Sequence, residues 1–190
     1  MANPSKSYPA RLDIDYPERL NRLTTFFRPI MIIPIAIVQS LLSTGLWFAT
    51  LLMIVFRARY PRWWFDFARE LTRLNTRVGA YAALLTDKYP STTKDQSVHL
   101  SVDYPDVGKD LNRWLPLIKW FLAIPHYIVL ILLSFFAFFA VLIAWFAILI
   151  TGRYPKPLFD YVVGVMRWSL RVSAYMYLLV TDRYPPFSVS

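Results

Sequence analysis

The chain is one module written twice, and a duplication limits the possible architectures more tightly than any single motif does. Leu12–Pro17 reads LDIDYP and Leu100–Pro105 reads LSVDYP. Leu20, Asn21 and Arg22 return as Leu111, Asn112 and Arg113, and Ile33 and Pro34 return as Ile124 and Pro125. Leu41–Ser43 matches Leu132–Ser134, Arg59–Pro61 matches Arg153–Pro155, and Phe65 and Asp66 match Phe159 and Asp160. Arg73, Arg77 and Tyr81 match Arg167, Arg171 and Tyr175. Each copy closes on Thr-Asp-basic-Tyr-Pro, at Thr86–Pro90 and Thr181–Pro185. Positions kept in both copies mark shared physical demands. The two modules span residues 8–90 and 98–187.

Each module carries an apolar run too long for a globular core. Phe26–Phe56 holds one charge, Arg28, and Trp120–Ile150 holds none. As a straight helix each would be roughly 46 Å long, against a bilayer core of about 30 Å. Hydrophobic residues make up 56% of the 190 and mean hydropathy is +0.38, so an integral membrane protein is expected. The net charge of +9 then reads as basic residues flanking membrane segments and meeting anionic headgroups. No soluble basic module points to nucleic acid. With no cysteine, disulfides, thiolate metal sites and cysteine nucleophiles are excluded. The polar first 25 residues do not read as a cleavable signal peptide.

Four pieces are expected in each copy, giving a mainly α fold. A short extended segment comes first, marked by alternating Leu12 and Ile14, and by Val98, Leu100 and Val102. Phe187 and Val189 predict a third such strand. An amphipathic lead-in follows, at Pro17–Thr25 and Pro105–Leu115, then the long apolar helix. A second, amphipathic helix closes the module, at about Trp63–Leu85 and Leu158–Val180. Seven of the fourteen prolines follow tyrosine. A residue before proline is pushed out of the helical region, and tyrosine favours the membrane interface. Each Tyr-Pro is therefore expected to stop a helix with its ring in and its hydroxyl out.

If the extended segment plays one role twice, each module crosses the bilayer an even number of times. Residues 8–16, 90–104 and 184–190 then share one side, expected to be cytoplasmic. In one solution the long helix crosses and the second helix returns, giving four crossings. In the other the long run is a re-entrant hairpin, with a turn near Gln39–Gly45, and the second helix lies on the surface. Basic residues at both ends of the first run favour the hairpin. The centre of the second run, Leu133–Ala140, lacks glycine and proline and favours crossing, the solution expected here.

Arg73, Arg77, Arg167 and Arg171 are the candidate lipid- or partner-binding residues. Guanidiniums one turn apart can fork onto a lipid phosphate, although an interfacial basic stripe has the same spacing. Asp87 and Asp182 sit at helix C-ends, where the dipole disfavours them, so each needs a tertiary cation, expected to be arginine. Arg62 with Asp66, and Lys156 with Asp160, have helical ion-pair spacing. His126 reads as an interfacial hydrogen-bonding residue more than as a haem or pigment ligand. The carboxylates form no nucleophile–base–orienter set, so neither an enzyme nor a cofactor is expected. Phe135, Phe136, Phe138, Phe139, Trp145 and Phe146 cover most of one helix with aromatic surface.

The string Thr151–Pro155, Leu158–Asp160, Gly164–Trp168, Arg171–Tyr175 and Thr181–Phe187 resembles an uncharacterised bacterial membrane family, domain of unknown function 4389. Ile124–His126 and Ala144–Phe146 fit the same pattern. The first copy resembles it more loosely, lacking glycine before Arg59 and the second proline and phenylalanine after Tyr89. The resemblance implies a membrane location and paired modules, and brings no activity or catalytic residue. The expected function is a non-enzymatic accessory or scaffold subunit of a larger assembly in the bacterial inner membrane, as a multi-pass protein. The expected partners are anionic lipids and other membrane subunits. A small oligomeric transporter or channel, or a membrane-shaping protein, is the alternative.

Overall fold

A computed structural model describes residues 8–43, 45–57, 59–92, 96–106 and 111–189. The first copy contributes β1 (Ala10–Ile14), α1 (Arg22–Met31), α2 (Ile33–Ser43), α3 (Leu46–Arg57) and α4 (Arg62–Ala82). The second contributes β2 (Val98–Val102), α5 (Pro116–Leu122), α6 (Ile124–Thr151) and α7 (Lys156–Met176). The chain is mainly helical, as expected.

The two extended segments form strands and pair with each other. β1 and β2 are antiparallel, with Leu12 opposite Leu100, Ala10 opposite Val102 and Ile14 opposite Val98. Leu12 and Leu100 are also repeat counterparts, so a pseudo-two-fold axis passes between them. The alternation does what period two requires. Ala10, Leu12, Ile14, Val98, Leu100 and Val102 are buried, and the residues between them face out. On the outer face Arg11 pairs with Asp103 at 3.0 Å, and its counterpart His99 meets Asp15 at 3.1 Å.

The same axis exchanges the helix ends. Arg22, at the start of α1, donates to the Ile150 carbonyl at the end of α6 at 2.9 Å. Arg113 donates to the carbonyls of Val55 and Phe56 at the end of α3. Each guanidinium thus satisfies carbonyls that a helix C-terminus leaves open, on the other copy's helix. The tyrosines behave alike: the Tyr16 hydroxyl donates to the Tyr154 carbonyl, and Tyr104 donates to the Tyr60 carbonyl at 2.6 Å. Tyr60 and Tyr154 are 2% and 1% exposed. These Tyr-Pro tyrosines are core residues, not hydroxyl-out interface markers, because their counterparts from the other repeat cover them.

The second helices form the centre of the molecule. α7 packs on β1 and α6, while α4 packs on β2 and α2. Phe159, Val162, Val163, Val165, Trp168 and Val172 of α7 are all buried, at about 1.5–3 kcal/mol for each large side chain. Around this core run the long apolar helices. α1 passes into α2 without reversing: the Ile32 N–H reaches Arg28 O and the Ala36 N–H reaches Ile32 O. α5 and α6 join alike, through Ala123 N–H to Lys119 O and Tyr127 N–H to Ala123 O. Pro34 and Pro125 lack an N–H, so the regular helix is interrupted just before them, at Ile32 and Ala123. α6 then continues for 28 residues, so the second run has no mid-run hairpin. In the first run α2 is helical to Ser43 and α3 begins at Leu46, with residue 44 outside the described residues. Two stretches, Ile33–Arg57 and Ile124–Thr151, are long and apolar enough to cross a membrane.

The predicted third strand is absent: residues 187–189 form no ladder. The Phe187 ring stacks on His126 with centroids 4.0 Å apart, and Arg171 donates to the Ser188 carbonyl at 2.6 Å. Those contacts fold the segment over α7 rather than onto the ribbon edge. Parts of the interdomain loop Asp87–Gln96 and of the lead-in Pro105–Leu115 lie outside the described residues.

Gly164 permits that crossing, since a Cβ there would lie 2.7 Å from the Val189 carbonyl oxygen. Gly164→Ala should cost about 1–3 kcal/mol through overpacking and speed amide hydrogen exchange at residues 187–189. At Gly79 a Cβ meets only the Met166 methyl at 3.5 Å, so Gly79→Ala should be neutral or stabilising by up to about 1 kcal/mol. Equal effects in thermal melts would refute the assignment.

Candidate functional site

Two clusters of charge are fixed by the fold. The first is buried and occurs twice. The turns after α4 and α7 each hold a leucine in the left-handed region, Leu84 at φ 63° and Leu179 at φ 56°. A leucine there costs about 1–2 kcal/mol, and both are buried, at 3% and 0% exposure. The turn sets Thr86 and Asp87, or Thr181 and Asp182, against the start of the long run of the same copy. Asp87 pairs with Arg28, which is 1% exposed and also donates to the carbonyls of Thr86 at 3.0 Å and Tyr81 at 3.3 Å. Asp182 pairs with Lys119 at 2.7 Å, also 1% exposed, which donates to the Thr181 carbonyl at 2.8 Å. Each cation lies over a tyrosine ring, Arg28 at 4.5 Å from Tyr81 and Lys119 at 4.9 Å from Tyr175. Burial pushes the Lys119 ammonium down from its ordinary pKa, and Asp182 opposes that shift.

The two aspartates also accept the N–H of Asn21 (2.6 Å) and Asn112, whose side chains cap the following turn. So the expected tertiary cation exists in both copies, as arginine in the first and lysine in the second. Sequence reasoning gave neither residue this role. Arg28 is the one charge inside the first run, and Lys119 stands at the matching repeat position, so the pairing was available as a signal.

The second cluster is the arginine stripe. Arg73 and Arg77 do come together, in a groove of about 450 Å³ between α4 and the ribbon with Arg11, Asp13 and His99. Arg73 pairs with Glu70 at 2.6 Å, and Arg77 donates to the Ser91 carbonyl at 2.6 Å. Burial, and then Arg73, push the Arg77 guanidinium down, yet an arginine keeps its charge. Arg167 and Arg171 are not in this groove. Arg167 binds Asp13 and the Leu12 carbonyl, each at 2.9 Å, and Arg171 holds Ser188. Arg77 and Arg171 thus play parallel parts, each reaching a carbonyl just past the closing Tyr-Pro of its copy, whereas Arg73 meets Glu70 on its own helix and Arg167 meets Asp13 on the ribbon. The helical pairs of Arg62 with Asp66 (3.6 Å) and Lys156 with Asp160 form as expected.

His126 is buried within the protein and makes a hydrogen bond there. Its Nδ1 accepts from the Trp168 indole at 3.1 Å, and Tyr184 and Phe187 enclose the ring. Nδ1 is therefore unprotonated and the neutral ring carries its proton on Nε2. The first copy has Ile35 at this position, so the aromatic box is a property of one repeat. Among the described residues no group of three or more histidine, aspartate or glutamate side chains is placed to hold a metal.

The family described as Domain of unknown function (DUF4389) matches residues 22–94 and again residues 113–188. The chain belongs to this family. It is a tandem pair of DUF4389 domains. No curated protein and no solved structure matches it. Both buried cation–aspartate pairs, and all four stripe arginines, lie inside the DUF4389 matches. The ribbon that joins the two DUF4389 copies lies outside them.

Asp87→Asn leaves Arg28 buried beside a neutral partner and should cost about 3–5 kcal/mol, or about 10 °C in a detergent melt. Arg28→Met with Asp87→Leu should recover most of it, because an apolar pair leaves no charge stranded. A wild-type melt for Asp87→Asn alone would show that the pair does not hold the turn.

Burial raises the phenol pKa of Tyr60 and Tyr154 above its usual value near about 10. The unfolded chain releases these protons first as pH rises, so folding stability is complete below about pH 10 and falls above it, by about 1.4 kcal/mol per unit for each phenol. Tyr60 donates to the Leu178 carbonyl at 3.1 Å, whereas the Tyr154 hydroxyl has no acceptor among the described residues. Tyr154→Phe should therefore flatten the alkaline slope at no cost at neutral pH. Tyr60→Phe should flatten it and cost about 1 kcal/mol. An unchanged slope in both variants would exclude these phenols as its cause.

Proposed function

We propose that the protein is a non-enzymatic accessory or scaffold subunit of a larger assembly in the bacterial cytoplasmic membrane. The observation that carries this reading is the surface of α6. One stripe, His126, Leu130, Ala140, Ala144 and Ile148, is buried along the whole helix. Ile128, Ile131, Phe135, Phe138, Phe139, Ile143 and Phe146 all face outward. An exposed apolar surface of this length marks a lipid or protein neighbour, and stiff aromatic rings give contact area at low entropic cost. The Arg73 and Arg77 groove faces the ribbon side and supports a role in holding anionic headgroups or acidic partner groups.

A transporter needs intramembrane polar groups for its solute. The exposed surface of the long helices offers Ser40 and Ser134 and is otherwise dominated by hydrocarbon, which favours the subunit reading. The purified chain, reconstituted alone in liposomes, should give no solute or ion flux above empty vesicles. In native membranes it should migrate in a complex much larger than 22.3 kDa, and replacing Phe135, Phe138, Phe139 and Phe146 by alanine should release it. Arg73→Gln with Arg77→Gln should lower the anionic lipid that co-purifies. Selective flux from the isolated chain would defeat the proposal and support a transporter. A monomer in native membranes with no flux would leave membrane shaping.

A further inference from the structure

The two-fold relation fixes where the ends of the long helices lie. The Leu20 N–H donates to the Gly152 carbonyl at 2.9 Å and Arg22 reaches Ile150, so the start of the first run and the end of the second lie at nearly one height along the pseudo-axis. A two-fold axis leaves height unchanged when it exchanges counterparts, and Ile150 is the counterpart of Phe56. Arg22 and Phe56 therefore stand at nearly the same height, and they are the two ends of the first run. Arg113 touching Phe56 gives the same result for the second run. Each run starts and ends at nearly the same height.

The direction of the axis follows from the ribbon through which it passes. The outward ionisable side chains there are Arg11, Asp13, Asp15, His99 and Asp103, with exposures from 50% to 73%. An axis in the membrane plane would put this charged face at mid-depth in hydrocarbon, which charged side chains avoid. The axis must point out of the bilayer. Both long helices then lie along the membrane plane, with their level ends at the headgroups.

We infer that the protein is monotopic: it sits in one leaflet, ribbon toward water, and neither long helix crosses the bilayer. The inference rests on the membrane reading above, and its occupant is one lipid leaflet with anionic headgroups. The charge pattern has an explanation on these terms. Arg19, Arg22 and Arg153 cluster at one pair of helix ends, and Arg57, Arg59 and Arg113 at the other. A crossing helix would place those clusters on opposite faces. In a single leaflet both meet the same anionic surface, and the bias of positive residues toward one side is satisfied. The level ends also meet the even parity required by the repeat, with no returning helix. This geometry and the four crossings expected from the sequence exclude each other.

The chain has no cysteine, so single cysteines report sidedness directly. Arg19→Cys and Arg59→Cys flank the first run, Asp106→Cys and Arg153→Cys flank the second, and His99→Cys marks the ribbon; all five positions are exposed. An impermeant maleimide is applied to spheroplasts and to inverted inner-membrane vesicles. All five should label from one face and none from the other. Labelling of Arg19→Cys and Arg59→Cys from opposite faces would overturn the inference and leave the membrane reading intact. Release of the wild-type chain by alkaline carbonate would overturn the membrane reading itself.

Discussion

Pairing of β1 with β2 is the constraint on which the rest of the molecule depends. The two strands come from equivalent places in the two copies and meet antiparallel with Leu12 opposite Leu100. That register gives each cross-strand pair a symmetry mate, so that Ala10 opposite Val102 returns as Val98 opposite Ile14. Contacts between copies then come in twos, from Arg11 with Asp103 and His99 with Asp15 on the ribbon to Arg22 and Arg113 at the helix ends. A two-stranded ribbon is marginal in isolation. Here its inner face is closed by α4 and α7, each packed on the strand of the other copy. Neither copy completes its core without the other.

Within each copy the energetic centre is the turn after the second helix. A left-handed leucine is costly, and so is a cation removed from water. The two costs are met together, because the leucine turn delivers the aspartate that neutralises the cation and the carbonyls that complete its hydrogen bonds. The arrangement recurs with arginine in one copy and lysine in the other. A point charge and a planar fork differ in geometry, yet each finds one carboxylate, at least one carbonyl and one tyrosine ring. The demand conserved between copies is therefore a buried positive charge, with its number of donors free to vary.

The copies differ at His126, whose counterpart is Ile35, and at Arg167, which meets Asp13 where Arg73 meets Glu70. Residues 187–189 fold over α7, stack on His126 and engage Arg171, while Arg73 and Arg77 keep a groove toward the ribbon. An approximately symmetric framework thus presents an asymmetric polar face. The DUF4389 matches contain the helices and buried pairs but not the ribbon, which separates a module that forms the core from an element that couples two modules.

The sequence by itself determined the duplication, both strands, both amphipathic helices, the family and the need of Asp87 and Asp182 for cations. These are legible because they depend on local periodicity or on a group that one helix cannot satisfy. It also placed Arg73 and Arg77 one turn apart, and the fold keeps them in one groove. Tertiary structure alone decided that Arg28 and Lys119 answer the aspartates, that Tyr60 and Tyr154 are core residues, and that Arg167 and Arg171 serve the ribbon and the tail. It also replaced the expected third strand with a segment stacked on His126. Each of these depends on which surface of one copy meets the other, and a repeat records only what a single copy needs. The two-fold axis is a relation between copies, so the level ends of the long helices became visible only once strand register and helix-end contacts were known together.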